Sequence, residues 1–187
     1  MTVERGRRPS PPGTTASDDV AAMIRVDHAG EFGAVRIYEG QLAVLDARPG
    51  AKKTAAVIRK MAAQEQLHLA SFDKLVNERR VRPTALEPVW RVAGYALGAA
   101  TALMGENAAM ACTAAVEEVI DEHYARQIAH LGHDPELKDR IEKFRADEIA
   151  HRDEALAHGA EQAPGYRLLS ESIKAGCRLA IRLSTRI

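Results

Sequence analysis

The chain has 187 residues, with 26 basic and 26 acidic side chains and a formal net charge of zero. That balance gives no global field to recruit nucleic acid, and the length suits one domain with a sizeable core. Alanine is abundant, aromatics make up 4% and β-branched runs are scarce, so a sheet protein is excluded and an all-α fold is expected.

Residues 1–17 are polar and Pro-rich, which predicts a disordered N-terminal tail. The first twenty residues lack the apolar core of a signal peptide. Residues 18–187 are then the folded domain. A first helix is expected from Asp19 to about Asp46, and a second from Lys52 to Glu78, with Asp46-Ala-Arg-Pro-Gly50 as the turn between them. Pro83 and Pro88 interrupt helicity twice in 79–88, which predicts a long crossover. Residues 92–105 carry no charge. That run is shorter than the roughly 20 residues that span a bilayer, so it is either a buried core helix or one lying in a membrane interface. Its Gly94-x3-Gly98 pair permits close helix contact. A second uncharged run follows Glu106 and leads into a helix that carries Glu117 to about Leu131. The next helix is expected over Pro135–Glu161. A last one, Tyr166–Arg186, sets Lys174, Arg178, Arg182 and Arg186 at every fourth position, the pattern of a basic amphipathic helix. Together with Arg79, Arg80, Arg82 and Arg91 it offers cations to anionic head groups; the alternative is a core helix plus an ordinary solvated face. Cys112 and Cys177 sit in apolar helical stretches without a C-x-x-C, and read as small core residues of a cytosolic chain.

An internal repeat carries the chemistry. Glu65-x2-His68 and Glu148-x2-His151 share their flanks: Ile58-x-Lys60-Met61 before one matches Ile141-x-Lys143-Phe144 before the other. Glu31-x6-Tyr38-x2-Gln41 returns as Glu117-x6-Tyr124-x2-Gln127. Glu-x-x-His alone is a weak signal, but a duplicated hairpin explains both pairs of matches. Leu131-Gly-His-Asp-Pro135 forms the turn of the second hairpin as Asp46–Gly50 does in the first, so folding each hairpin about its turn brings its two glutamates level. In a helix, residues three apart share a face, which sets each histidine beside its glutamate.

A helical glutamate taken alone is ordinarily solvated. Here Met61 and Phe144 stand one turn before Glu65 and Glu148, on the side that should face the core. Four buried carboxylates need compensation, and two divalent cations supply it. Glu31, Glu65, His68, Glu117, Glu148 and His151 are therefore expected to ligate a dinuclear centre. Mostly oxygen donors with two imidazoles suit iron or manganese better than zinc. Tyr38, Tyr124 and His123 are candidates for a place near the cofactor, and Asp121 or Asp147 for orienting a ligand imidazole.

Several strings resemble one family. Arg25-Val-Asp-His-Ala-Gly-Glu31-Phe-Gly-Ala34, Arg82-Pro-Thr84, Ala96-Leu-Gly-Ala99, Met110-Ala-Cys-Thr113 and Val116-Glu-Glu118 are similar to the demethoxyubiquinone hydroxylases of ubiquinone biosynthesis, over about residues 20–187. The resemblance implies a ferritin-like four-helix bundle with an added apolar interfacial helix and a C-terminal amphipathic helix. It also implies two iron ions on the same six residues, with Glu65 and Glu148 touching both. The reaction implied is O₂-dependent ring hydroxylation of a prenylated demethoxyubiquinol, with an external reductant for which NADH is a candidate. Peripheral attachment is implied at the cytoplasmic face of the cell membrane, or at the matrix side of the mitochondrial inner membrane in a eukaryote. A homo-oligomer and other ubiquinone-pathway proteins are compatible partners. The competing readings are an iron-storage ferroxidase, a manganese catalase and a non-enzymatic membrane-associated bundle.

Overall fold

The computed structural model describes residues 18–187; the tail expected over 1–17 lies outside the described residues. Six α-helices follow in order: α1 Asp18–Leu45, α2 Lys52–Glu78, α3 Glu87–Met104, α4 Glu106–Ile128, α5 Pro135–Ala157 and α6 Tyr166–Ser184. A short 3₁₀ turn, Ala160–Gln162, precedes α6, and no strand occurs among the described residues. α1 folds back on α2 and α4 on α5, so the two repeat units form two antiparallel hairpins. α3 then covers α1, and α6 covers α4. This is a ferritin-like bundle with two added helices.

The breaks follow from local chemistry. Asp134 caps α5 by accepting from the Leu137 backbone N–H, and Pro135 takes the first helical position, where no N–H is needed. Gly105, at φ +130°, separates α3 from α4, and Gly159, at φ +87°, ends α5. That termination stops α5 at Ala157 and not at Glu161 as expected. Pro88 likewise departs from expectation. It sits in the first turn of α3 and starts a helix, because proline's fixed φ suits that position. The uncharged run after Glu106 is already helix α4, not a lead-in to it.

Two apolar clusters stack along the bundle. One holds Leu45, Ile58, Met61, Met110 and Tyr38; the other holds Ile24, Phe72, Leu75, Ile141, Phe144 and Tyr124. The repeat glutamates lie at the level between them.

α3 is pressed onto α1. A Cβ on Gly98 would sit 1.9 Å from the Ile37 carbonyl oxygen, and one on Gly40 would sit 2.1 Å from that of Tyr95. The outer faces are unusually apolar: Val92 is 70% exposed, Leu103 69%, Leu168 77% and Leu179 55%. The basic stripe of α6 is only partly free. Lys174 is buried against Glu118 at 2.7 Å, and Arg178 pairs with Glu122 at 3.2 Å. Arg79 is held by Asp134 at 2.5 Å. These three cations pin helices together through ion pairs and are not all free for a partner, which corrects the expectation of an unbroken basic face. Arg80, Arg82, Arg91, Arg182 and Arg186 remain exposed.

Gly98→Ala should therefore cost about 3 kcal/mol of stability by overpacking backbone against side chain. Gly176→Ala in α6, where a Cβ meets nothing within 4 Å, should gain up to about 1 kcal/mol from helix propensity. Denaturant unfolding of the two variants checks the contrast, and equal effects would contradict the close α1–α3 contact.

Candidate metal centre

All six expected ligands are buried at one level of the bundle: Glu31 from α1, Glu65 and His68 from α2, Glu117 from α4, and Glu148 and His151 from α5. They form two overlapping groups. Glu31, Glu65, His68 and Glu148 each bring one donor atom within 4.8 Å of the others, and so do Glu65, Glu117, Glu148 and His151. Glu65 and Glu148 belong to both groups. The helical spacing that put His beside Glu in sequence thus becomes a shared carboxylate pair with one imidazole on each side.

The outward-facing atoms of this cluster are satisfied, and the inward-facing ones are not. Tyr38 donates to Glu117 Oε1 at 2.6 Å, and Tyr124 donates to Glu31 Oε1. His68 Nε2 donates to Asp147 Oδ2 at 3.1 Å, and His151 Nε2 donates to Gln64 Oε1 at 3.2 Å. Without an aligned hydrogen-bond partner are Glu31 Oε2, Glu117 Oε2, both oxygens of Glu65 and Glu148, and Nδ1 of each histidine. His68 Nδ1 comes within 3.1 Å of Glu148 Oε1, and His151 Nδ1 within 3.0 Å of Glu65 Oε1, but neither contact is aligned. Buried polar atoms are rarely left in this state. Eight of them converging on one point from six residues fit a pair of hard divalent cations.

The electrostatics carry the same message. Burial, followed by repulsion from Glu148, Glu31 and Glu117, holds the Glu65 carboxyl well above the usual range. Burial and then Glu148 do the same to Glu117, and burial raises Glu148. Burial alone would lower the His68 imidazole, but Glu148 and Glu31 outweigh it and lift it to about 10. Desolvation lowers His151. Both tyrosines are pushed well above 10, mainly by burial and then by the neighbouring carboxylates, so their hydroxyls stay protonated donors.

Tyr38 and Tyr124 thus touch the cluster directly. His123 does not: it bonds Asp27 at 3.0 Å and Gln127 at 2.9 Å, one layer further out. Asp147 orients His68, whereas Asp121 meets neither imidazole. It accepts from Arg145 at 2.6 Å and pairs with Arg152, because its position on α4 faces the basic side of α5. Gln64 was missed in the sequence, although it occupies the repeat position equivalent to Asp147. Of the remaining imidazoles, His28 bonds Asp73 at 2.9 Å, and His130 and His158 donate to backbone carbonyls.

An apolar groove of about 520 Å³ runs beside the cluster between α1, α3, α4 and α6. Gly30, Gly33 and Ala34 line it on α1 and Val116, Val119 and Ile120 on α4, so its walls include the immediate sequence neighbours of Glu31 and Glu117. Cys177 lines it from α6, its thiol raised by burial to about 11. Among the described residues, no helix is long and apolar enough to cross a membrane.

A carboxyl whose folded pKa is raised adds stability below its unfolded value, near 4.5, and loses it as pH rises through the folded value. Glu65, Glu117 and Glu148 all have this sign. His68 shares it, with a window from 6.5 to about 10; His151, lowered, opposes it just below 6.5. Chelator-treated protein should therefore melt at progressively lower temperature between about pH 5 and 8. A flat or rising profile in calorimetry would contradict the buried-carboxylate arrangement.

The sequence profile of the family described as "Ubiquinone biosynthesis protein COQ7" matches residues 18–184. The chain is 56% identical over 182 residues to a 3-demethoxyubiquinol 3-hydroxylase of Rhodospirillum rubrum, covering 97% of this chain and 84% of that protein. It is 53% identical over 173 residues to the mitochondrial NADPH-dependent 3-demethoxyubiquinone 3-hydroxylase of Homo sapiens, covering 90% and 78%. A mitochondrial 5-demethoxyubiquinone hydroxylase of Saccharomyces cerevisiae is 41% identical over 181 residues, covering 88% and 77%.

Proposed function

The chain belongs to the family of the ubiquinone biosynthesis protein COQ7, and from that premise we propose that it is a monooxygenase acting on a prenylated demethoxyubiquinol at a membrane surface. Two iron ions, held by Glu31, Glu65, His68, Glu117, Glu148 and His151, are its cofactor. The observation that carries the reading is the convergence of eight unpartnered donor atoms beside a groove lined almost wholly by apolar side chains.

Bound iron supplies the one-electron chemistry that lets ground-state dioxygen react with a ring C–H bond. The chain's own residues do the rest. Glu65 and Glu148 have both oxygens free toward the centre, and so can hold the two cations together. Tyr38 and Tyr124 hold one oxygen of Glu117 and Glu31, leaving the other free for a metal. Asp147 and Gln64 fix each imidazole with Nδ1 inward. The two apolar clusters keep bulk water from the centre along the bundle axis. Gly30 and Gly33 leave space for a substituted ring next to Glu31, and the groove continues between α3 and α6 for a prenyl chain.

Monooxygenation puts one oxygen atom into the product and the other into water, consuming two electrons and two protons, so an external donor is required. The mitochondrial relative's name carries NADPH, and the donor proposed here is a reduced nicotinamide nucleotide, NADH or NADPH. A substrate with a polyprenyl tail resides in a bilayer. The exposed leucines and valines of α3 and α6, with Arg182 and Arg186 nearby, form the surface proposed to rest on it. Iron storage or peroxide disproportionation would leave both the groove and this surface without a use.

Glu65→Gln should abolish hydroxylation of a short-chain demethoxyquinol and reduce bound iron below two per chain. It should also raise the melting temperature of the chelated protein, because a buried charge is relieved. A merely structural glutamate would do the opposite. Gly33→Leu, which fills the groove, should raise KM for the quinol about tenfold at unchanged iron content. Co-sedimentation with anionic vesicles checks the docking surface. Leu168→Asp combined with Leu179→Asp should release the protein, and retention of wild-type binding would remove the membrane part of the reading.

A further inference from the structure

The two halves of the centre look alike but differ in the group behind each imidazole. Gln64 and Asp147 occupy equivalent places in the repeat, each one residue before its glutamate. Each reaches across to the histidine of the other half, Asp147 to His68 at 3.1 Å and Gln64 to His151 at 3.2 Å. Geometry matches on the two sides: Nε2 meets an outward acceptor oxygen and Nδ1 faces the carboxylates. Charge does not match, since one acceptor is a carboxylate and the other a neutral amide. Among the described residues, Asp147 has His68 as its ion-pair partner, and no lysine or arginine stands within ion-pair distance of it.

A second difference has the same sign. Gln127 donates to Asp27, one turn before Glu31, while Gln41 donates to Thr113, one turn before Glu117. Asp27, like Asp147, has a histidine as its ion-pair partner, so both carboxylates lie on the Glu31–His68 side, and of the two it is Asp147 that touches a ligand imidazole. An anionic acceptor makes an imidazole a stronger donor, and groups behind metal-ligating histidines change affinity by about 10- to 100-fold.

We propose that the two cation positions are unequal: the one bounded by Glu31 and His68 binds a divalent metal more tightly and fills first, because Asp147 stands behind its imidazole. The Glu117–His151 position, backed by Gln64, fills second. The inference rests on the two-metal reading above and adds an order of filling to it.

Two cations sharing carboxylates repel each other and would bind in two steps even at identical positions, so the test must resolve the positions. Full-length protein is stripped of metal, loaded with one equivalent of Mn²⁺ and crystallised, and the occupancy of each position is read from anomalous scattering. In the wild type, occupancy at Glu31–His68 should exceed that at Glu117–His151 by about tenfold. Asp147→Asn, which keeps shape and hydrogen bond, should bring the ratio close to one. Gln64→Glu supplies an independent arm: with Asp147 intact it should also level the two positions, by strengthening the weaker one. Equal wild-type occupancy, a reversed order, or a ratio that ignores both substitutions overturns the inequality. Failure of either position to take Mn²⁺ even in excess overturns the two-metal reading and this inference with it.

Discussion

Burying four carboxylates at one level of an apolar bundle is the constraint to which the rest of the structure answers. Glu31, Glu65, Glu117 and Glu148 are almost completely excluded from solvent, and none has a lysine or arginine beside it among the described residues. Desolvation on this scale is tolerated only when something neutralises the charge. Two imidazoles and two tyrosine hydroxyls are the nearest groups, and they leave the inward atoms unpartnered. The architecture thus keeps an energetic deficit at its centre, concentrated on the atoms that cations would engage. Apolar clusters above and below confine that deficit to one layer.

The two added helices give this buried layer an apolar groove along one side. α3 lies tightly on α1 because Gly40, Gly94 and Gly98 let the backbones meet. α6 lies on α4 through Ile173 and the Lys174–Glu118 and Arg178–Glu122 pairs. Between them the groove remains, its walls made of small and branched residues. A four-helix bundle alone would have no such wall, and the quinol reading depends on α3 and α6 as much as on the ligands.

Much of this was legible in the sequence because the repeat is written twice. Spacing within a helix tells which side chains share a face, so the pairing of Glu65 with His68 and of Glu148 with His151 could be read directly. Turn residues at 46–50 and 131–135 did the same for the hairpins. Contacts between helices were harder to read. Nothing in the spacing says that Tyr38 reaches Glu117 and not Glu31, or that Gln64 belongs to His151. Asp121 looked as well placed as Asp147, yet the azimuth of α4 against α5 gives it to Arg145. Periodicity also marked Lys174 and Arg178 as part of a cationic stripe, while their burial was decided by glutamates on α4.

The tyrosine, aspartate and glutamine contacts at the centre all run from one hairpin to the other. Tyr38 serves the second hairpin's glutamate and Tyr124 the first's; Asp147 and Gln64 trade histidines in the same way. A solitary hairpin would therefore have no acceptor for its own phenol and no orienting group for its own imidazole. Such a unit is complete only as a twin, which is the condition expected of an ancestor that worked as a symmetric pair before its two copies were joined. The aspartate on one side and the glutamine on the other are where the two halves of that twin cease to be interchangeable.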